Sequence, residues 1–183
     1  MIRERRDQGP SMADHLTRAA LRTGLMTAAV TLAVLAAEAS ASSNLSADGR
    51  KVAFTSAASN LVAGDRNDAI DVFVRDLDPG VTRRVSVSSA GAEGNADSFD
   101  PSFSANGRRV AFSSGASNLV AGDTNASTDV FVHSLKTGKT RRVSVRSNGR
   151  QGRGASAAPS ISTTGRFVAF QSAAPNLIPG DTN

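Results

Sequence analysis

From residue 44 onward the apolar positions come in runs of four to seven residues, separated by clusters of Gly, Asn, Asp, Ser and Thr. Representative runs are Lys51-Val-Ala-Phe-Thr-Ser56, Asp71-Val-Phe-Val-Arg75, Arg109-Val-Ala-Phe-Ser-Ser114 and Asp129-Val-Phe-Val-His133. Short Val- and Phe-rich runs bounded by turn formers predict β-strands, and no 3.6-residue stripe follows residue 41, so the pattern predicts an all-β fold. The runs differ informatively. Val72, Phe73 and Val74 occupy both faces of their strand, which requires a sheet covered on both sides. Arg84-Val-Ser-Val87 alternates, as expected of an outer, half-exposed strand. Pro101-Ser-Phe-Ser104 is short and serine-rich, which suits a crowded position near an axis.

The runs recur without a gap at a period of 58 residues: Gly49, Gly107 and Gly165 align, as do Phe54, Phe112 and Phe170, and Asp65, Asp123 and Asp181. Asp48-Gly49 and Asn106-Gly107 supply the positive φ angles of tight hairpins. Four antiparallel strands per unit, with neighbouring sheets packed face to face, describe a β-propeller blade; a solenoid or a plain sandwich is the alternative, with a shorter period or none. The spacing places blades near residues 44–87 and 101–146 and part of a third at 159–183, about two and a half in all. A closed propeller takes four to eight blades, so closing a ring requires further blades or self-association.

Two segments carry a family resemblance. Pro101-Ser-Phe-Ser-Ala-Asn-Gly-Arg-Arg-Val-Ala-Phe-Ser-Ser114 and Asp71-Val-Phe-Val-Arg-Asp-Leu-Asp-Pro-Gly80 resemble the WD-like propeller repeats of the TolB-type family, including its exported bacterial members. The resemblance covers about residues 44–183. It implies a propeller in the periplasm or outside the cell, acting as a binding or scaffolding module through its loops. The separate amino-terminal domain of TolB itself has no counterpart in this sequence. Resemblance also extends to the propellers that precede the catalytic domain of prolyl oligopeptidase-like enzymes.

Residues 1–41 differ in kind. Five arginines (Arg3, Arg5, Arg6, Arg18, Arg22) precede Gly24-Leu-Met-Thr-Ala-Ala-Val-Thr-Leu-Ala-Val-Leu-Ala-Ala37, and 15 uncharged residues separate Arg22 from Glu38. That is short of the ~20 apolar residues of a membrane-spanning helix. The order of basic, apolar and small-residue segments predicts a secretory signal peptide cleaved after Ala39-Ser40-Ala41, leaving Ser42 at the amino terminus. Arg5-Arg6 is similar to a twin-arginine signal but lacks the apolar pair close behind it. The whole chain carries 21 Lys+Arg and 16 Asp+Glu. Removing the five arginines and four acids of residues 1–41 leaves a modest net +4, which favours loose association with anionic polymers. The absence of Cys excludes disulfides, thiolate metal sites, a Cys nucleophile and a lipid-modified Cys.

Candidate chemistry is sparse. The only histidine after residue 41 is His133, which replaces Arg75 of the preceding repeat within a strand; no G-x-S-x-G or H-E-x-x-H motif occurs. The sequence therefore predicts a non-enzyme. The alternative is the propeller portion of a peptidase-like or lactonase-like enzyme. The loop Gly64-Asp-Arg-Asn-Asp-Ala-Ile-Asp71 recurs as Gly122-Asp-Thr-Asn-Ala-Ser-Thr-Asp129. Asp65, Asn67 and Asp71, and likewise Asp123, Asn125 and Asp129, offer hard oxygens at i, i+2 and i+6, a spacing that allows a calcium site and a calcium-dependent repeat protein, although it is not an EF-hand loop. The competing reading is that these side chains cap turns and satisfy backbone donors.

The loops that follow the last strand of each unit disagree in charge. Residues 88–100 contain Glu93, Asp97 and Asp100; the aligned 146–158 contain Arg146, Arg150 and Arg153 among glycines. Variable loops on a rigid scaffold are where binding specificity resides, which marks the three arginines as candidates for holding a protein or an anionic envelope polymer. Nucleic acid is not expected, because no aromatic side chain is interleaved to stack bases. Arg83-Arg84 and Arg141-Arg142 read as an exposed blade edge, and Leu61 and Val62 as apolar residues that dock their loop against the blade.

Overall fold

The computed structural model describes residues 44–181; the predicted signal peptide lies outside them. Among the described residues nine strands form three antiparallel sheets in chain order. The first sheet comprises β1 (Lys51–Ser56), β2 (Asp71–Asp76) and β3 (Val81–Arg84). The second comprises β4 (Ser98–Phe103), β5 (Arg109–Ser114), β6 (Asp129–Ser134) and β7 (Thr140–Arg142); the third comprises β8 (Ser156–Ile161) and β9 (Val168–Ser172). The order β4-β5-β6-β7 is a four-stranded meander, one complete propeller blade. In the first sheet Leu45 bridges to Val52 in the place of an inner strand.

The register shows why the repeat folds alike each time. Phe54 faces Phe73 and Phe112 faces Phe131 across the central strand pairs, with ring centroids 5.7 and 5.9 Å apart and both interplanar angles 25°. The hairpin glycines Gly49, Gly107 and Gly165 have φ of 67°, 67° and 71°, as the sequence requires of them. These turns also join the blades at one end of the stack: the Ala47 N–H donates to the Ala105 carbonyl at 3.0 Å and the Asn106 N–H to the Thr163 carbonyl at 3.2 Å.

Blades pack face to face. Between the first two, Val72, Val74 and Val85 meet Phe103, Val110, Phe112 and Phe131; on the other face of the second blade, Ala111 and Val132 meet Ile161. Every one of these is buried, so β6 is covered on both sides as its unbroken apolar run demands. Leu119 enters the core of the first two blades, whereas its counterparts Leu61 and Leu177 are half-buried.

Two strand boundaries differ from the sequence expectation. The inner strand β4 starts at Ser98, before Pro101, because the Ser98 N–H donates to the Ile70 carbonyl and a bulge between Phe99 and Ser102 absorbs Asp100 at φ 51°. The outer strand ends at Arg84 and Arg142, and the alternation beyond it does not mean half exposure. Ser86 and Ser144 turn inward and are fully buried beside Val85 and near Val143.

Candidate functional site

The side chains read as calcium ligands do come together, and the cation at their centre is an arginine. Asp71 opens β2 with its side chain wholly buried. Its Oδ2 accepts from Arg84 Nη1 at 2.8 Å and from Asn67 Nδ2 at 3.0 Å, and its Oδ1 accepts from the Ser86 hydroxyl at 2.5 Å. Ser86 Oγ in turn accepts from the Val72 N–H at 3.1 Å. Arg84 also reaches Asp65 at 3.0 Å and, through Nη2, Glu93 at 2.9 Å. Asn67 presents its amide nitrogen to the cluster, since its oxygen accepts from the Ala69 N–H, and it donates as well to the Gly94 carbonyl. A calcium ligand would present that oxygen instead.

The second repeat reproduces the arrangement atom for atom. Asp129 accepts from Arg142 at 3.1 Å, from Asn125 at 3.1 Å and from Ser144 at 2.5 Å, and Asp123 pairs with Arg142 at 2.9 Å. Gln151 stands where the first repeat has Glu93 and bonds Thr124 instead of the arginine. Burial opposes the charge of Arg84, yet the hydrogen bond and charge of Asp71, with Asp65 and Glu93, outweigh it and hold its pKa above the ordinary value. Burial raises the pKa of Asp123, with Arg142 opposing and Asp129 adding to the rise.

Arg84 and Arg142 are therefore corrected from an exposed edge to an internal latch, with side chains only 9% accessible; their neighbours Arg83 and Arg141 are the exposed ones. The latch ties the loop before the second strand of a blade to its outer strand. The signal available in the sequence was the unchanged spacing Asp71, Arg84, Ser86 against Asp129, Arg142, Ser144. Ser86 and Ser144 were missed because a serine between two valines reads as the solvent face of a strand.

His133 is buried in β6, with Nδ1 2.9 Å from the Thr140 hydroxyl oxygen. The Thr140 hydroxyl donates its one proton to the Val87 carbonyl of the preceding blade, so toward His133 it accepts, and Nδ1 carries the proton. Burial lowers the pKa of His133. An enclosed imidazole bonded to a threonine has no nucleophile or acid partner to work with, and it is the sole histidine among the described residues.

Arg146, Arg150 and Arg153 lie on a turn that repeats the backbone of residues 88–95. The Arg146 N–H donates to the Arg150 carbonyl at 2.8 Å and Gly149 closes the turn at φ 81°; in the first repeat Ser88 donates to Ala92 at 2.8 Å with Gly91 at φ 85°. The Arg153 N–H donates to Asn176 Oδ1 at 2.8 Å, as Asn95 does to Asn118 at 3.1 Å. The charges are used differently. Glu93 pairs with Arg84 and Asp97 accepts from the Ile70 N–H, so two of the three acids of the first loop serve the scaffold. Among the described residues the guanidinium groups of Arg146, Arg150 and Arg153 make no ion pair.

No protein-family profile and no curated protein matches the chain. Solved structures do. TolB from Acinetobacter baumannii is 17% identical, with a TM-score of 0.42 over 69% of this chain and 25% of that one. A TolB structure from Agrobacterium tumefaciens is 19% identical, with a TM-score of 0.46 over 70% of this chain and 36% of that one. The chain thus spans between a quarter and about a third of the length of these structures. The blade architecture itself stands on the strand pairing of this chain.

Proposed function

We propose that this chain is an exported binding or scaffolding module of the cell envelope or the extracellular space, which holds an acidic partner protein or an anionic envelope polymer on the turn bearing Arg146, Arg150 and Arg153. One observation carries the reading: two turns of the same backbone, in one of which two acids are spent on the scaffold and in the other of which three arginines make no ion pair among the described residues. Arg146 and Arg150 close their turn opposite each other, an arrangement in which like charges destabilise the pair until an anion lies between them. Ala92 and Asn95, at the positions of Arg150 and Arg153, are exposed with the following blade in place, so a neighbouring blade leaves these positions open. Export rests on the character of residues 1–41.

The first repeat supplies the test. Arg146→Ser, Arg150→Ala and Arg153→Asn together copy Ser88, Ala92 and Asn95 and keep the turn. The triple variant should bind poly-glutamate or polyphosphate at least about tenfold more weakly than the parent at low salt, and the parent's affinity should fall steeply as salt rises. Thermal unfolding should be unchanged. Equal affinity of parent and variant for both polymers would refute the assignment.

A further inference from the structure

A cleft of about 290 Å³ opens between the first and second blades. Its walls are Val74 and Val81 from the first blade and Leu135 from the second, and Val81 is 40% exposed. Around this apolar floor stand Arg83, Arg108 and Lys136, none of which makes an ion pair among the described residues; the remaining charges, Lys51 and Asp76, neutralise each other at 2.6 Å. The cleft thus combines an apolar seat with three uncompensated cations. β3, which carries Val81 and Arg83 on one face, is the edge strand of its sheet. An edge strand is a template for an extended peptide.

We propose that this cleft docks an extended acidic segment of a partner protein, with one apolar side chain seated on Val74, Val81 and Leu135 and carboxylates on either side facing Arg83, Arg108 and Lys136. Charge complementarity selects the acidic partner. The volume lies just below the range of about 300–1,000 Å³ typical of small-molecule sites, which suits one anchoring side chain and is short for the acyl chain of a lipid. The corresponding place in the second blade has Lys139 where the first has Val81, so the apolar wall is specific to the first pair of blades. The site is separate from the turn of Arg146, Arg150 and Arg153, and either assignment can fail without the other.

The test is fluorescence anisotropy on the full chain with labelled peptides EELEE and EEGEE, which share their charge and differ in the anchor. EELEE should bind about tenfold more tightly than EEGEE, the amount one buried apolar side chain supplies. Val81→Lys, copying Lys139, should remove that preference, and Arg83→Ala or Lys136→Ala should weaken both peptides several-fold. Arg83 and Lys136 are exposed, so these two variants keep the fold and serve even where Val81→Lys disturbs it. The Arg146→Ser, Arg150→Ala, Arg153→Asn variant should bind EELEE as the parent does. Equal binding of the two peptides, affinity that ignores Arg83→Ala and Lys136→Ala, or displacement of EELEE by micromolar dodecanoate would overturn the proposal, the last in favour of a lipid.

Discussion

A carboxylate with no exposure at the first position of a strand is costly unless it is paired and fully hydrogen-bonded, and Asp129 meets both conditions through Arg142, Asn125 and Ser144. The pair contributes little by being present but much by being complete. Removing one partner of a buried ion pair leaves the other uncompensated, at a cost of about 3–5 kcal/mol. Arg142→Ala strands both Asp123 and Asp129 and should lower the unfolding free energy by about that amount, whereas Arg141→Ala, exposed next door, should stay within about 0.5 kcal/mol. Urea titrations of the two variants side by side check this; a loss of under 1 kcal/mol for Arg142→Ala would mean the carboxylates find another cation or protonate cheaply. The sequence displayed the acids and amides of this cluster by their recurrence. It did not display the arginine as their counter-ion, because Arg83-Arg84 offers two neighbouring guanidiniums and the choice of the second follows from the face that each takes in β3. The same carboxylates spaced for calcium are thus spaced equally well for a guanidinium, and only the direction of the Asn67 amide distinguishes the two.

At the level of strands and turns, most of the fold is written in short-range chemistry. Val72-Phe73-Val74 and Val130-Phe131-Val132 announce central strands, and the glycines at a 58-residue interval announce their hairpins, whose φ values agree to within a few degrees. The outer strands were less legible, since their ends are set by contacts with a neighbouring blade and not by their own pattern. Thr140 shows this. Its N–H and carbonyl bond Ser89 and its hydroxyl bonds the Val87 carbonyl, all of the preceding blade, while His133 donates to that hydroxyl. The chain of bonds makes the junction sensitive to pH. The unfolded chain takes up a proton on His133 near pH 6.5, and burial keeps the folded imidazole neutral to lower pH, so across that window the unfolded state binds more protons. Stability should therefore be flat above about pH 7 and decline as pH falls from 6.5 toward 5, above the range where carboxylates titrate. His133→Arg copies Arg75, which donates to Thr82 at 3.0 Å, and should flatten the slope. Thermal unfolding of both proteins at half-unit steps from pH 5 to 8 measures it; an identical slope in the two would assign the pH dependence elsewhere.

Across the whole stack, each blade lays a side chain on the hairpin glycine of the next. Arg109 crosses Gly165 so closely that a β-carbon there would come within 2.9 Å of its Cδ, and its Nη1 donates to the Gly165 carbonyl at 2.7 Å; Lys51 lies over Gly107 more loosely, its Cδ 3.9 Å from where a β-carbon would sit. Phe167 holds this position in the third blade and is 71% exposed, with Ile178 on the same blade 67% exposed. At the other end, Gly49 has nothing within 4 Å of where a side chain would begin. Among the described residues β9 also has no second partner strand. An aromatic so exposed, with only the Arg166 guanidinium over its ring at 5.7 Å, beside a free strand edge favours association, and the repeat makes the two ends of the stack alike in backbone to the faces that already pack. Residues 42–183 should therefore associate in a concentration-dependent way. Phe167→Lys, which restores the residue type of Lys51 and Arg109, should raise the concentration needed by about tenfold, the effect of withdrawing one large apolar side chain from a contact. Light scattering with refractive-index detection is the measurement, since the chain has no Trp, Tyr or Cys to absorb at 280 nm. A monomer throughout the accessible range, or an association that Phe167→Lys leaves untouched, would show that the exposed face of the third blade is not where copies meet.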